Sequence, residues 1–168
     1  MMRSCKHYLI SLGFLFLASS ATFANEITNS AEGTINRLHD TLIKTMQQAD
    51  TLGYTGRYEQ LDTVVRESFD FPTIARVVLG QYWQDLTPDQ QAHFIETFTR
   101  LSIANYASRF DGYNAEHFTY LSDKEQKKGR ILVMTMFQTQ KRDISFNYLL
   151  QLTDDSWRII NVVVDGVS

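Results

Sequence analysis

Hydrophobic residues recur at three- and four-residue steps through the first half of the chain, whereas much of the second half alternates between apolar and polar positions. The first helical pattern covers 29–49, where Asn29 and Glu32 have the spacing of a capping box. The glycine-containing segment TLGYTG at 51–56 is expected to end this helix. The apolar positions that define its buried face are Ile35, Leu38, Leu42, Ile43 and Met46.

Two further helices are predicted in the next thirty or so residues. The second begins at Tyr58 and has an apolar face. Asp70 can cap the third, with Pro72 in the first turn, where a missing amide costs nothing. This third helix is expected to carry Tyr82 and Trp83, which lie about 100° apart around a helix and therefore face different surroundings.

A fourth helix is predicted from residue 88. Thr87 is suited to the N-cap, Pro88 to the first helical position, and Gln90 completes the spacing of a capping box. The apolar side of this helix holds Phe94, Ile95, Phe98, Leu101 and Tyr106.

After residue 114 the period changes to two, which predicts strands. The intervening turns are short, so neighbouring strands should pair antiparallel. The second strand is apolar on both faces at its start, which is typical of a strand covered on both sides. We predict an α+β fold, with an N-terminal helical half packed on an antiparallel sheet of about four strands. The predicted strands cover 116–121, 130–139, 144–152 and 157–167.

Residues 1–24 have the pattern of a secretory signal peptide. Arg3 and Lys6 precede an apolar run at 9–17, and small residues follow, with cleavage expected after Ala24 or alternatively after Ala21. A retained membrane anchor is the alternative, but this run is shorter than the roughly 20 residues that a span requires. The remaining 25–168 are predicted to form a single domain.

Loss of the signal peptide would change the composition in two ways. The single cysteine, Cys5, would leave with it, which excludes disulfides, thiolate metal sites and a cysteine nucleophile. The mature chain would keep 14 basic and 19 acidic residues, a net charge of −5. Nucleic acid is therefore a poor candidate partner, because its binding favours a basic face.

Motifs for catalysis or metal binding are absent from the sequence. The histidines His39, His93 and His117 form no HxxxH or HExxH pattern, and there is no GxSxG, P-loop or GxGxxG. We predict no metal and no cofactor. The candidates for acid–base chemistry are Asp70, Asp111, His117 and Asp165, although each also fits a turn or a helix cap.

The segment from 69 to 110, FDFPTIARVVLGQYWQDLTPDQQAHFIETFTRLSIANYASRF, closely resembles the MlaC family, also called the toluene-tolerance family. The matching blocks include 69–71, 75–83 and 87–90. The ending WRIINVVVDGVS also resembles that of the family, with Asn161 and Asp165 at its two acidic positions. Members continue into a further helical tail, whereas this sequence stops at Ser168, so the tail is expected to be missing or truncated.

The resemblance implies a periplasmic carrier of phospholipid, with an NTF2-like arrangement of helices on a curved antiparallel sheet. Its implied partners are an inner-membrane ABC transporter with an MCE domain and an outer-membrane lipoprotein complex. An HpnM-like branch that accompanies hopanoid biosynthesis is similar, so a hopanoid-type lipid is an alternative ligand. No catalysis is implied.

An apolar cavity would hold the acyl chains, and helical and strand periodicity indicates which residues line it. One residue of the Tyr82 and Trp83 pair is expected at the cavity and the other in a helix contact. A small NTF2-like acid–base enzyme, an isomerase or hydrolase, is the alternative, and a protein-binding adaptor with a filled core is a third. The predicted lipid-binding residues are Ile74, Val78, Tyr82, Trp83, Phe94, Phe98, Leu101, Val133, Met134, Phe146, Tyr148 and Val163.

Overall fold

The computed structural model describes residues 30–167, in which helices occupy the first half and strands the second. The α+β class and the sheet of four antiparallel strands are confirmed. The predicted signal peptide and Asn29 lie outside the described residues. The elements are α1 (Ala31–Gln47), α2 (Ala49–Ser68), α3 (Phe71–Leu79), a 3₁₀ helix (Gly80–Asp85), α4 (Pro88–Arg109), β1 (His117–Gln126), β2 (Arg130–Gln138), β3 (Asp143–Thr153) and β4 (Ser156–Val164).

The cap of α1 is Ser30, so the predicted capping box of Asn29 and Glu32 is wrong. The Ser30 hydroxyl accepts a hydrogen bond from the Gly33 amide at 2.9 Å, which satisfies one of the free amides at the helix start. The predicted apolar face is confirmed, with Ile35, Leu38 and Leu42 fully buried.

Helix α1 ends at Gln47, and the span Ala49–Ser68, α2, consists of two helical segments joined within the segment that was predicted to break the helix. Gly53 forms a kink there, with φ 57° and ψ −172°, a conformation open essentially only to glycine. Arg57 braces the kink, because its guanidinium donates to the carbonyl of Ala49 before the kink and to that of Ala107 in α4. The predicted second helix is therefore present, and it begins after Gly53 rather than at Tyr58.

Two predicted helix caps are confirmed. The Asp70 carboxylate accepts from the Thr73 amide at 2.9 Å at the start of α3. Thr87 and Gln90 form the predicted capping box of α4. However, α3 ends at Leu79 and Gly80 turns the chain with φ 54°, so Tyr82 and Trp83 lie in the 3₁₀ helix rather than in α3.

The strands form a meander in the order β1-β2-β3-β4, with each strand antiparallel to its neighbour. Strand β1 is longer than predicted and includes Asp123, Lys124 and Glu125, which form its exposed outer part. The first turn is confined to 127–129, where Lys128 adopts a left-handed backbone with φ 65°. At the opposite edge, the Asp70 amide donates to the Ile159 carbonyl at 2.9 Å, which joins β4 to the helical half.

One face of the sheet, here called the inner face, packs against the helices. Val133, Tyr148 and Ile159 are fully buried there and belong to the same hydrophobic core as Ile35 and Leu38 of α1. The prediction that β2 is covered on both sides is wrong, because alternation turns Met134 and Met136 to the opposite, half-exposed face. None of the helices in residues 30–167 is long and apolar enough to cross a bilayer.

Candidate functional site

A cavity of about 950 Å³ lies between the inner face of the sheet, the C-terminal end of α4 and the loop that follows α4. Strands β2, β3 and β4 supply one wall, and α1 contributes Met46. This volume falls in the upper part of the range of about 300–1,000 Å³ that is usual for ligand sites. The lining residues are Met46, Asn105, Tyr106, Arg109, Phe110, Asp111, Gly112, Tyr113, Asn114, Glu116, Phe137, Arg142, Ile144, Phe146, Val162, Val164 and Val167.

The sheet wall of the cavity is apolar because of strand register. Phe137 pairs with Ile144, and Phe146 pairs with Val164, which places all four side chains on the inner face. Phe110 closes the wall from the helical side, with its ring centroid 5.7 Å from that of Phe137. The Phe137 and Phe146 rings meet edge to face at 6.2 Å, so the wall is a packed aromatic surface.

The mouth of the cavity is polar and carries both signs of charge. Arg109 ends α4, Asp111 and Glu116 belong to the following loop, and Arg142 belongs to the β2–β3 turn. The Arg142 guanidinium lies 3.3 Å from the Asp165 carboxylate, which also accepts from the Ser145 amide at 2.9 Å. The site thus combines an apolar interior with an ionic rim.

Of the strand residues predicted for the site, only Phe146 lines the cavity. Val133 and Tyr148 share its face but are fully buried in the core. Met134 and Val163 lie on the opposite face of the sheet, as their register with Asn147 shows.

The predicted residues of the helical half do not line this cavity. Ile74 and Phe98 pack against the core, and the Phe94 ring stacks on Phe98 with centroids 6.0 Å apart. Leu101 lines a separate groove of about 610 Å³ between α2 and α4, and Val78 is exposed. Contact of these residues with a ligand stays a prediction.

The adjacent aromatics Tyr82 and Trp83 differ in environment, as expected from their helical rotation. Tyr82 is 64% exposed. Trp83 is half-buried, and the Arg76 guanidinium carbon lies 5.8 Å from its ring centroid, within range of a cation–π interaction. Neither residue lines the cavity.

A β-bulge explains why the sequence pointed to Val163 rather than to its neighbours. Leu149 pairs with Asn161 and Leu150 with Ile159, so Ile160 is an extra residue in β4. The bulge reverses the alternation, and Val162 and Val164 face the cavity instead of Val163. Ile144 was detectable from the sequence, because it lies two residues from Phe146 in the same strand.

Comparison with protein families decides where the chain belongs. The family model described as MlaC protein matches residues 36–168. The chain belongs to the MlaC family. The family membership confirms the resemblance found in the sequence.

Among solved structures, the MlaC-family chain is similar to a phospholipid-binding protein from Ralstonia solanacearum in complex with a phospholipid. The two share 16% sequence identity and a TM-score of 0.72, over 82% of this chain and 79% of the other. At this identity the comparison shows a shared fold. An NTF-2 like protein of unknown function from Silicibacter pomeroyi is 14% identical, covering 86% of this chain and 98% of the other, with a TM-score of 0.41. No curated protein matches the chain.

The acid–base candidates of this MlaC-family chain have structural partners or exposed positions. Asp70 is buried, and its carboxylate accepts from the Thr73 amide and from the hydroxyls of Thr73 and Thr153. Asp165 forms an ion pair with Arg142. Asp111, at the cavity mouth, and His117 are exposed. Within residues 30–167, no three His, Cys, Asp or Glu side chains are grouped closely enough to hold a metal ion.

His39 is a buried titratable residue that sequence reasoning did not select. Its Nε2 lies 2.9 Å from the Tyr148 hydroxyl, and its ring stacks on Phe118 with centroids 3.6 Å apart. Burial lowers the pKa of His39 to about 3. The imidazole is therefore neutral at physiological pH, and it does not line the cavity.

Proposed function

We propose that this protein is a lipid carrier that holds acyl chains of a phospholipid, or of a related hopanoid-type lipid, in the 950 Å³ cavity. The observation that carries the proposal is the apolar, aromatic wall of a cavity with an ionic mouth in a chain of the MlaC family. The fold shared with the Ralstonia phospholipid-binding protein supports it.

The physical chemistry of the wall suits acyl chains. Each buried methylene contributes about 0.8 kcal/mol, so roughly ten methylenes supply about 8 kcal/mol before the costs of association. No directional contact is needed for this term, because hydrophobic burial scales with area. A rim of charged groups then keeps the polar end of the lipid at the surface.

The proposed setting is the periplasm, where residues 1–24 would direct secretion and 25–168 would form one lipid-binding domain. The proposed partners follow the resemblance to the MlaC family: an inner-membrane ABC transporter with an MCE domain and an outer-membrane lipoprotein complex. Lipid would pass between these two membrane assemblies on the carrier. Nucleic acid is not a proposed partner, because the mature chain is acidic.

We propose a carrier rather than an enzyme. An acid–base enzyme would place a buried Asp or His on the cavity wall, where desolvation adjusts its pKa. The carboxylates among the lining residues, Asp111 and Glu116, lie at the mouth. His39 and Asp70 are each buried, at separate places in the fold, and neither lines this cavity. This placement favours binding over catalysis.

Native mass spectrometry of the protein purified from cells, followed by lipid extraction, tests the proposal. We expect one lipid per chain. Val162→Trp should fill part of the cavity and reduce occupancy several-fold, whereas Val163→Trp, on the opposite face of the sheet, should retain it. Equal occupancy in both variants would show that lipid binds elsewhere, and the same assay on Phe98→Trp and Val78→Trp tests the sites predicted from helical periodicity.

A further inference from the structure

The mouth of the cavity carries more charge than acyl chains require. Arg109 and Arg142 approach from α4 and from the β2–β3 turn, while Asp111 and Glu116 belong to the loop after α4. An apolar ligand would gain nothing from these groups, and it would lose by displacing their water. These charged groups are therefore placed to contact the polar end of the ligand.

The two arginines are available to a ligand. The ion pair of Arg142 with Asp165 is exposed, at 67% and 40% of the two side chains, and pairs of this kind contribute little to stability. Arg142 can thus exchange a carboxylate for a phosphate at small cost. The Arg109 guanidinium makes no hydrogen bond or ion pair with any residue in 30–167.

The carboxylates limit which anion this rim accepts. Glu116 is held in place through one oxygen, Oε2, which accepts a hydrogen bond from the Asn114 amide. Asn114 is itself held by Gln140, whose side-chain amide donates to Asn114 Oδ1 at 3.1 Å. A lone phosphate would be attracted by the arginines but repelled by Asp111 and Glu116, whereas a phosphate that carries its own cation satisfies both sets.

We infer that the rim selects a zwitterionic phospholipid headgroup, with the phosphate bound by Arg109 and Arg142 and the ammonium group by Asp111 and Glu116. Guanidinium groups suit this role because their planar donors match phosphate oxygens in pairs. The inference rests on the proposed function, and it chooses the phospholipid over a hopanoid-type lipid that lacks phosphate.

Binding of three lipids with identical oleoyl chains tests the inference: phosphatidylethanolamine, phosphatidylglycerol and diacylglycerol. We expect the wild type to bind them with decreasing affinity in that order. Arg109→Gln and Arg142→Gln should each weaken phosphatidylethanolamine binding about tenfold and leave diacylglycerol binding unchanged. Asp111→Asn should reduce the preference for phosphatidylethanolamine over phosphatidylglycerol.

Arg100→Gln is the matched control, because Arg100 lies on the same helix but lines the separate groove between α2 and α4. It should leave all three affinities unchanged. Arg109→Lys provides a second variant that keeps the charge but loses the paired donors, and it should give an intermediate affinity. Circular dichroism establishes that each variant is folded.

Two results would overturn the inference: equal wild-type affinity for the three lipids, or an Arg109→Gln variant that loses diacylglycerol as strongly as phosphatidylethanolamine. Both leave the carrier proposal standing, because lipid is still bound. Failure of the wild type to bind any of the three would instead remove the proposal of a phospholipid carrier and leave only the hopanoid-type alternative.

Discussion

His39 Nε2 and the Tyr148 hydroxyl lie 2.9 Å apart, and both side chains are buried where α1 meets β3. Tyr148→Phe removes the hydroxyl and leaves a buried imidazole nitrogen without its partner. We expect a loss of about 1–3 kcal/mol in the free energy of unfolding, measured by urea denaturation. Tyr113→Phe, at a site 45% exposed, is the control and should change stability little. An equal effect in both variants would contradict a role for this hydrogen bond in stability.

The same histidine predicts how stability depends on pH. Burial lowers the pKa of His39 from 6.5 to about 3, so between these values the unfolded chain binds more protons at this site than the folded protein. This contribution is fully present above about pH 6.5 and should be lost as the pH falls towards 3, by at most about 1.4 kcal/mol per unit. Urea denaturation between pH 7 and 4 measures the slope.

His39→Gln should flatten that slope, because glutamine does not titrate and can still reach the Tyr148 hydroxyl. His93→Gln, which alters an exposed histidine in α4, serves as the control and should keep the wild-type slope. A slope unchanged in His39→Gln would assign the pH dependence to other groups.

Asp70 joins the two halves of the molecule, since its carboxylate caps α3 and also accepts from the Thr153 hydroxyl near the β3–β4 turn. Asp70→Ala should lower the free energy of unfolding by about 2–3 kcal/mol, combining a lost cap with unsatisfied hydroxyls. Thermal unfolding monitored by circular dichroism provides the measurement. Asp85→Ala, at an exposed position in the 3₁₀ helix, should cost far less. Comparable losses would mean that Asp70 contributes no more than a surface carboxylate.

The kink of α2 depends on the backbone conformation of Gly53. Gly53→Ala should destabilise the protein by about 1–3 kcal/mol, because a side chain strains this left-handed conformation even though no atom lies within 4 Å of the added Cβ. Gly112→Ala is the matched control, since its site is equally open and has no positive φ. Urea denaturation should show a loss only for Gly53→Ala, and a neutral Gly53→Ala would indicate that the helix straightens without cost.

Local signals predicted much of this fold. The caps at Asp70 and Thr87 could be read from the sequence because their partners lie three residues away, and the strands because alternation is local. The predicted helix break coincides with the kink at Gly53, because glycine is common at helix ends and at kinks alike. The Arg57 side chain connects the segment after the kink to Ala49 before it and to Ala107 in α4, contacts that the sequence does not reveal. Similarly, the end of α3 depends on the turn at Gly80.

The cavity was less accessible to sequence reasoning. Its strand wall depends on which alternate residues of each strand face the helices. In β4 the extra residue Ile160 exchanges the two sets, so that residues expected on the outer face lie on the inner one. Its helical wall comes from Tyr106 and Phe110, whose position over the sheet follows from how α4 packs on α2 and α3. Apolar residues such as Val133 and Tyr148 share the pattern of cavity residues, but they fill the core. Periodicity identifies a buried face without distinguishing packed from hollow parts of it.

The outer part of β1 has a consequence for association between molecules. Within residues 30–167, β1 forms one edge of the sheet, and no strand of that range pairs with its outer backbone amides and carbonyls. A strand from another chain can pair with such an edge, which is how fibrils grow. Asp123, Lys124 and Glu125 are all exposed there, and the bulge at Leu121 interrupts regular pairing just before them. A second strand would have to desolvate these charges and match an irregular edge, so pairing at the outer part of β1 is disfavoured.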